Sequence, residues 1–496
     1  MGHVTFLRKN ITLTKSYLFI LLIFTLIGIL PALVNKSPIF FPDTFGYFSA
    51  GEASLKAVDG LSGKIFGHDN RRGPQASGAP LQTQARDGIS TARSPYYGVP
   101  LVVNAVAWSV WSQIFLQSLM FSAMAILVAR RLLPASGLRR DLLLAACLIL
   151  GAAPFYTSTL MPDFATGCMI AALALLLAPT SPQATGERFF CFFIVVVAVC
   201  FHKANLAVAL VLVPLWVVFR MVGRKPLFVN IGYPLAALAL GSLGHLSVAY
   251  GIKLSTGSAP LEPPFILARV IEDGPGSRLI AQQCPELRLE ICRYADRFPM
   301  RADDFLWGDD PDRSLWKTIP LESKRRISQE ASEVIVRAVA HDPFAQIAAS
   351  SRNFLHQLGT VGVTQYNTQI VDSLARTRAA QDILAVHRTG YVNGKQLPLD
   401  WVSAEMTAIY SLALVLIAVG LIVARQRRAS LPHFPAITML LAGLVVNAAV
   451  NGIIAGVYDR YQGRIAWLAI FLAVYLWLAL VAHARSPITT TAPPAP

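Results

Sequence analysis

The feature that most constrains this chain is a series of apolar runs, each roughly 17 to 25 residues long and free of Asp, Glu, Lys and Arg, the length an α-helix needs to cross a hydrocarbon core. Inside a bilayer every backbone polar group must find its partner within a helix or a closed barrel. Barrel strands alternate apolar and polar residues, and these runs do not. The composition agrees: 54% of residues are hydrophobic and 14% charged, against about 25% charged in soluble domains. The expected fold is an all-α polytopic membrane protein.

Ten spans are expected, near 16–34, 108–129, 142–160, 164–180, 189–202, 204–221, 227–250, 402–424, 434–456 and 465–483. Short loops with excess Lys and Arg stay in the cytoplasm. Arg130, Arg131, Arg139 and Arg140 follow the second span, Arg220, Arg224 and Lys225 the sixth, and Arg425, Arg427 and Arg428 the eighth. All three clusters fall on the side of the N-terminus, and an even count returns the C-terminus there. These clusters also carry much of the net charge of +15, so the basic balance reads as topology and not as a nucleic-acid partner.

The same assignment divides the chain into a membrane region over 1–250 with a first outer loop at 35–107, a mostly helical extracytoplasmic domain over 251–401, and a second membrane region over 402–496. It sends Asp43, Asp163, His202, Lys203, Asp459, Arg460 and Arg464 to one surface, although they are scattered over the whole sequence. Such convergence marks a candidate site.

In "FFPDTFGYFSAGEA" Pro42 and Asp43 fit a helix start, with Tyr47, Ala50 and Ser54 following along one face. Asp43 has two readings, a capping residue or an acid at the mouth of a cavity. Residues 60–94 read as a loop, and "SPYYGVPLVVNAVAW" as an interfacial or re-entrant helix. Asp163 follows Pro162, which stops helix continuation, so capping and function again compete. His202 and Lys203 sit in a short outer turn, where a cation runs against the positive-inside bias; phosphate binding and snorkelling to the interface both account for them. The densest cluster is "VYDRYQGR", where Arg460 and Arg464 are spaced to share a helical face. Both guanidinium groups can then address one anion, unless pairing with Asp459 absorbs them. Cys284 and Cys292, in "CPELRLEIC" of the outer segment, read most simply as a disulfide; no nearby Cys or His completes a metal set. The acidic run "ADDFLWGDDPD" reads as a solvated loop, with cation binding as the alternative.

No nucleotide-binding loop, dinucleotide fingerprint, zinc-protease motif or nucleophile elbow occurs in its required context. Ion-coupled transporters place ionisable groups inside their spans, and the span interiors here offer essentially His245.

With "PDTFGYFSAGEA" after the first span, a second aspartate in "MPDFATG", many spans and a large outer segment, the chain resembles the C-type glycosyltransferase superfamily (GT-C), and most closely its bacterial members related to aminoarabinose and protein mannosyl transferases. Further segments, "ARVIEDGPGSRLIAQQCPELRLEICRYADRFP" and "DRYQGRIAW", look like those of uncharacterised bacterial relatives. The resemblance implies an enzyme of the bacterial inner membrane, its active site facing the periplasm, that moves a sugar with inversion from a polyprenyl-phosphate donor to a lipid or glycan acceptor. Asp43 stands where that superfamily carries its outer-loop acid, and Asp163 matches a second acidic element loosely. Many members have two adjacent acids; here Pro42 and Thr44 flank Asp43, which leaves a divalent cation open and the metal unassigned. No other cofactor is expected. His202, Lys203, Arg460 and Arg464 are the expected donor-phosphate ligands on chemical grounds, and Tyr47, Tyr461 and Gln462 the expected substrate contacts. Two alternatives remain: an O-antigen polymerase or ligase, working through arginine and histidine, and a non-enzymatic lipid carrier or assembly subunit.

Overall fold

A computed structural model describes residues 2–57, 92–178, 183–223, 231–367, 377–392 and 396–485. Arg224, Lys225 and most of the expected loop at 60–94 lie outside the described residues. The described elements are helical, joined by one isolated parallel bridge between Ile39 and Thr159. Seven helices are long and apolar enough to cross a membrane: Ser16–Asn35, Val110–Leu132, Lys203–Val222, Gly232–Leu254, Leu399–Gln426, Phe434–Ala455 and Asp459–Arg485. The protein is therefore an all-α membrane protein.

The other three expected crossings fall on shorter helices, Gly137–Leu150, Phe164–Leu177 and Thr185–Phe201. Local sequence explains the shortening. After Leu150 the chain meets Gly151, then Ala152 in the left-handed region, then Pro154 in the first turn of a separate helix, Ala153–Ser158. Extended backbone at His202 parts Thr185–Phe201 from the helix that follows. By length and composition seven of the described helices qualify as spans.

The last span is the centre of the bundle, with 72% of its most apolar window buried, against 17% for Gly232–Leu254. Arg460 and Arg464 thus stand at the entrance of the most buried of these seven spans. At one end of the bundle Arg131 pairs with Glu187 and the Arg130 guanidinium lies 4.4 Å from the Tyr17 ring. Residues 37–44, 93, 159–163, 202 and 458–464 gather at the other end.

Residues between Leu261 and Ala338 form a separate small hydrophobic core, around Leu267, Phe305, Leu315 and Ile327. The Cys284–Cys292 disulfide lies in this unit, with Cα atoms 5.3 Å apart. Val361, Tyr366, Ile383 and Leu399 pack instead into the main core. The polar segment 251–401 is thus split between a cap with its own core and a return strap built into the bundle.

Candidate functional site

Asp43 is carried in the first turn of the helix Pro42–Ala57. Its position is set by the bridge just before it: Ile39 donates to the Ser158 carbonyl, Leu160 donates back to Ile39, both at 2.9 Å, and the Thr44 hydroxyl donates to the Leu160 carbonyl at 3.0 Å. The strip that follows, Met161 to Asp163, is therefore held beside Asp43.

Arg93 reaches Asp43 because Pro42–Ala57 lies almost in backbone contact with the helix Pro95–Ala107. A Cβ on Gly51 would sit 2.3 Å from the Gly98 carbonyl oxygen, and one on Gly98 would sit 2.1 Å from that of Tyr47. Only glycine permits this approach. Ser94 caps the second helix by accepting from the Tyr96 amide, and Arg93, one residue earlier, is ion-paired with Asp43. Its guanidinium also faces the rings of Tyr47 and Trp307, at 5.9 and 5.7 Å, so one side chain links the first loop, the carboxylate and the cap.

Arg460 completes this group, 3.6 Å from Asp43 and 3.8 Å from Asp163, with its guanidinium 4.4 Å from the Phe41 ring and 5.0 Å from that of Tyr461. Asp459 does not absorb it. The Asp459 carboxylate instead accepts from the amide and hydroxyl of Thr364, at 2.9 and 2.5 Å. Burial works to raise the Asp43 carboxyl, but Arg93 and Arg460 outweigh it and hold the group below its ordinary range.

Asp163 begins the helix Phe164–Leu177 but makes no side-chain cap. It accepts from Arg464 at 2.8 Å, and Arg464 also donates to Asn447 and Asn451, each at 3.3 Å. The capping reading of Asp163 is thereby replaced by a buried ion pair. Arg464 is fully enclosed, so it holds Asp163 and faces no open space.

His202 joins the cluster while its neighbour does not. The His202 Nδ1 accepts from the Ala204 amide at 3.1 Å, capping the helix Lys203–Val222 and leaving the proton on Nε2. Burial, with the Arg464 charge next, pushes the imidazole down to about 3, so it is neutral at physiological pH. Lys203 turns away to Glu262 at 2.5 Å, with its side chain 45% exposed. Tyr47 is buried edge-on against Tyr97. Tyr461 lies under both arginines, 5.0 Å from Arg460 and 5.3 Å from Arg464. Gln462 is fully buried and spent on Asn447, Tyr410 and the Leu444 carbonyl, which makes it a packing residue and not a substrate contact.

The acids are neutralised by guanidinium groups. Among the described residues no group of three or more His, Cys, Asp or Glu is placed to hold a metal ion. This donor set does not suit a divalent cation. Arg93 is the functional candidate that sequence reasoning missed; its one signal was an arginine directly before a Ser-Pro helix start.

Compared with known protein families, curated proteins and solved structures, the chain matches none.

Proposed function

We propose that the protein is a glycosyltransferase of the bacterial inner membrane that moves a sugar from a polyprenyl-phosphate donor to an extracytoplasmic lipid or glycan acceptor, with inversion. The observation that carries this reading is the partly open Asp43–Arg93–Arg460 group at the end of the bundle opposite Arg130 and Arg131. In this reading that end faces the periplasm, and the three shorter helices Gly137–Leu150, Phe164–Leu177 and Thr185–Phe201 complete ten crossings.

A phosphate leaving group calls for cations more than for an acid, because its charge grows as the bond to the anomeric carbon breaks. Arg93 and Arg460 are the two cations within reach of Asp43. At rest they hold its carboxylate ionised but weakly basic. Donor phosphate competes for the same guanidinium groups and so frees Asp43 to act. The acceptor hydroxyl then passes its proton to Asp43 as its oxygen bonds to the anomeric carbon, and the electron pair of the broken bond leaves on the phosphate, held by Arg93 and Arg460. Neutral His202 offers Nε2–H as a further donor. Asp163 and Arg464 act as the positioning pair beneath Arg460. No step runs through a metal.

The test uses purified protein in lipid nanodiscs, polyprenyl-phosphate sugars carrying a radiolabelled sugar, and membrane extract as acceptor. Label transfer with release of polyprenyl phosphate is expected, reduced by about 100-fold or more in Asp43→Asn while donor binding persists. Wild-type turnover by Asp43→Asn would remove the base and move the polymerase or ligase reading ahead.

A further inference from the structure

A polar cavity of about 200 Å³ opens between the cap and the bundle, lined by Arg269, Glu272, Arg301 and Asp303 from the cap and by Asn353, His356 and Tyr458 from the bundle side. Its lining is balanced. Two guanidinium groups stand against two carboxylates, with an amide, an imidazole and a phenol among them. A phosphate there would confront Glu272 and Asp303, and a divalent cation would confront Arg269 and Arg301. A polyhydroxylated ring suits it better, because each hydroxyl both donates and accepts.

The lining is partly unspent. Arg269 is 94% buried (6% exposed), yet its Nε has no hydrogen-bond partner, even though its terminal nitrogens pair with Glu272 and Asp273. Native structures rarely leave a buried donor unpaired. Arg301 and His356 have no side-chain partner among the described residues, while Asp303 accepts from the Tyr458 hydroxyl. Tyr458 leads to the reactive group: its ring meets Tyr461 at 5.4 Å, Tyr461 lies 5.0 Å from the Arg460 guanidinium, and Arg460 is 3.6 Å from Asp43.

We infer that this pocket is a subsite for one sugar ring, and that the ring belongs to the acceptor. Its assignment to the acceptor rests on the transferase reading; sugar binding does not. The acceptor is accordingly a glycan or glycolipid, presented from the cap side with Tyr458 between it and the donor site.

Saturation-transfer NMR on the full chain in phosphatidylcholine nanodiscs tests this with methyl glycosides of glucose, galactose and mannose, and with inorganic phosphate as competitor. At least one glycoside should receive saturation from the protein and resist displacement by phosphate. Arg301→Ala and His356→Ala alter exposed, unpartnered side chains, so thermal unfolding should hold while glycoside affinity falls, about tenfold for the arginine as for loss of one charged hydrogen-bond partner and about threefold for the histidine as for loss of an ordinary hydrogen bond. Failure of every glycoside to bind, equal binding by both variants, or displacement by phosphate overturns the subsite. Transfer is read separately through Asp43→Asn. Glycoside binding without any transfer would keep the sugar site and reject the acceptor assignment, whereas transfer without glycoside binding would reject the subsite alone.

Discussion

Two aspartate–arginine groups stand side by side at the same end of the bundle, and they are built differently. In one, Asp163 and Arg464 are 1% and 0% exposed, meet at 2.8 Å, and are fixed by Asn447 and Asn451. In the other, Asp43 and Arg93 are each 20% exposed and Arg460, at 11%, approaches Asp43 only to 3.6 Å. A buried pair has surrendered its hydration and cannot release either member without stranding the other. A partly open group can exchange one cation for a ligand. In the proposed reaction the first pair is therefore the support and the second the reacting group.

The contrast breaks most visibly at Arg464. Arg464→Ala leaves the buried Asp163 carboxylate with only the longer 3.8 Å approach of Arg460, so a loss of about 3 kcal/mol is expected, read as a large drop in the thermal unfolding midpoint of purified protein. Normal stability with only weakened donor binding would make Arg464 a ligand residue after all.

Asp43→Asn should do the opposite. Its neighbours remain partly hydrated, so unfolding should shift by no more than about 1 kcal/mol, while sugar transfer falls by about 100-fold. A variant as unstable as Arg464→Ala would erase the distinction between the two groups. Arg460→Gln comes next. It removes a cation from the open group, and donor binding should weaken by about 1.5–3 kcal/mol, the range for a hydrogen bond to a charged group. Unaltered donor affinity, measured by titration in nanodiscs, would leave Arg93 as the sole phosphate ligand.

Much of this arrangement was readable from the sequence, for a specific reason. Apolar run lengths and basic loops determine which chain ends share a face, and that alone groups Asp43, Asp163, His202, Arg460 and Arg464. What they cannot reveal is which neighbours touch. Arg93 meets Asp43 only because Gly51 and Gly98 let two helices nearly fuse, a contact between residues 47 positions apart. His202 and Lys203 are adjacent in sequence, yet the helix cap turns one inward and the other outward. Nor do run lengths reveal where a helix breaks: left-handed Ala152 and extended His202 divide apolar sequence that reads as continuous, and seven of the described helices are long and apolar enough to span.

Acid should act on this cluster through His202. Its folded pKa, about 3, lies below the ordinary 6.5. Between those values the unfolded chain takes up the proton and the folded chain does not. The stability His202 contributes is therefore complete above about pH 6.5 and declines as pH falls through that window toward 3. Asp43, depressed from 3.8, acts with the same sign at lower pH. His202→Gln should flatten the decline in unfolding midpoint between about pH 6.5 and 4, and an unchanged slope would mean that this imidazole is already hydrated in the folded protein.

The smallest effect is expected at Lys203, and it tests the comparison by its absence. Lys203 shares the turn with His202 and has the charge a phosphate site needs, which made it an obvious candidate in the sequence. Its side chain is 45% exposed and its partner Glu262 is 55% exposed. An ion pair that open contributes only about 0.2–1 kcal/mol, and salt screens it. Lys203→Ala should therefore leave donor binding and transfer at wild-type levels, with a slight loss of stability that disappears at high salt. A fall in donor affinity as large as that of Arg460→Gln would show that Lys203 leaves Glu262 for the phosphate when donor arrives, and the open group would then extend across the cap boundary.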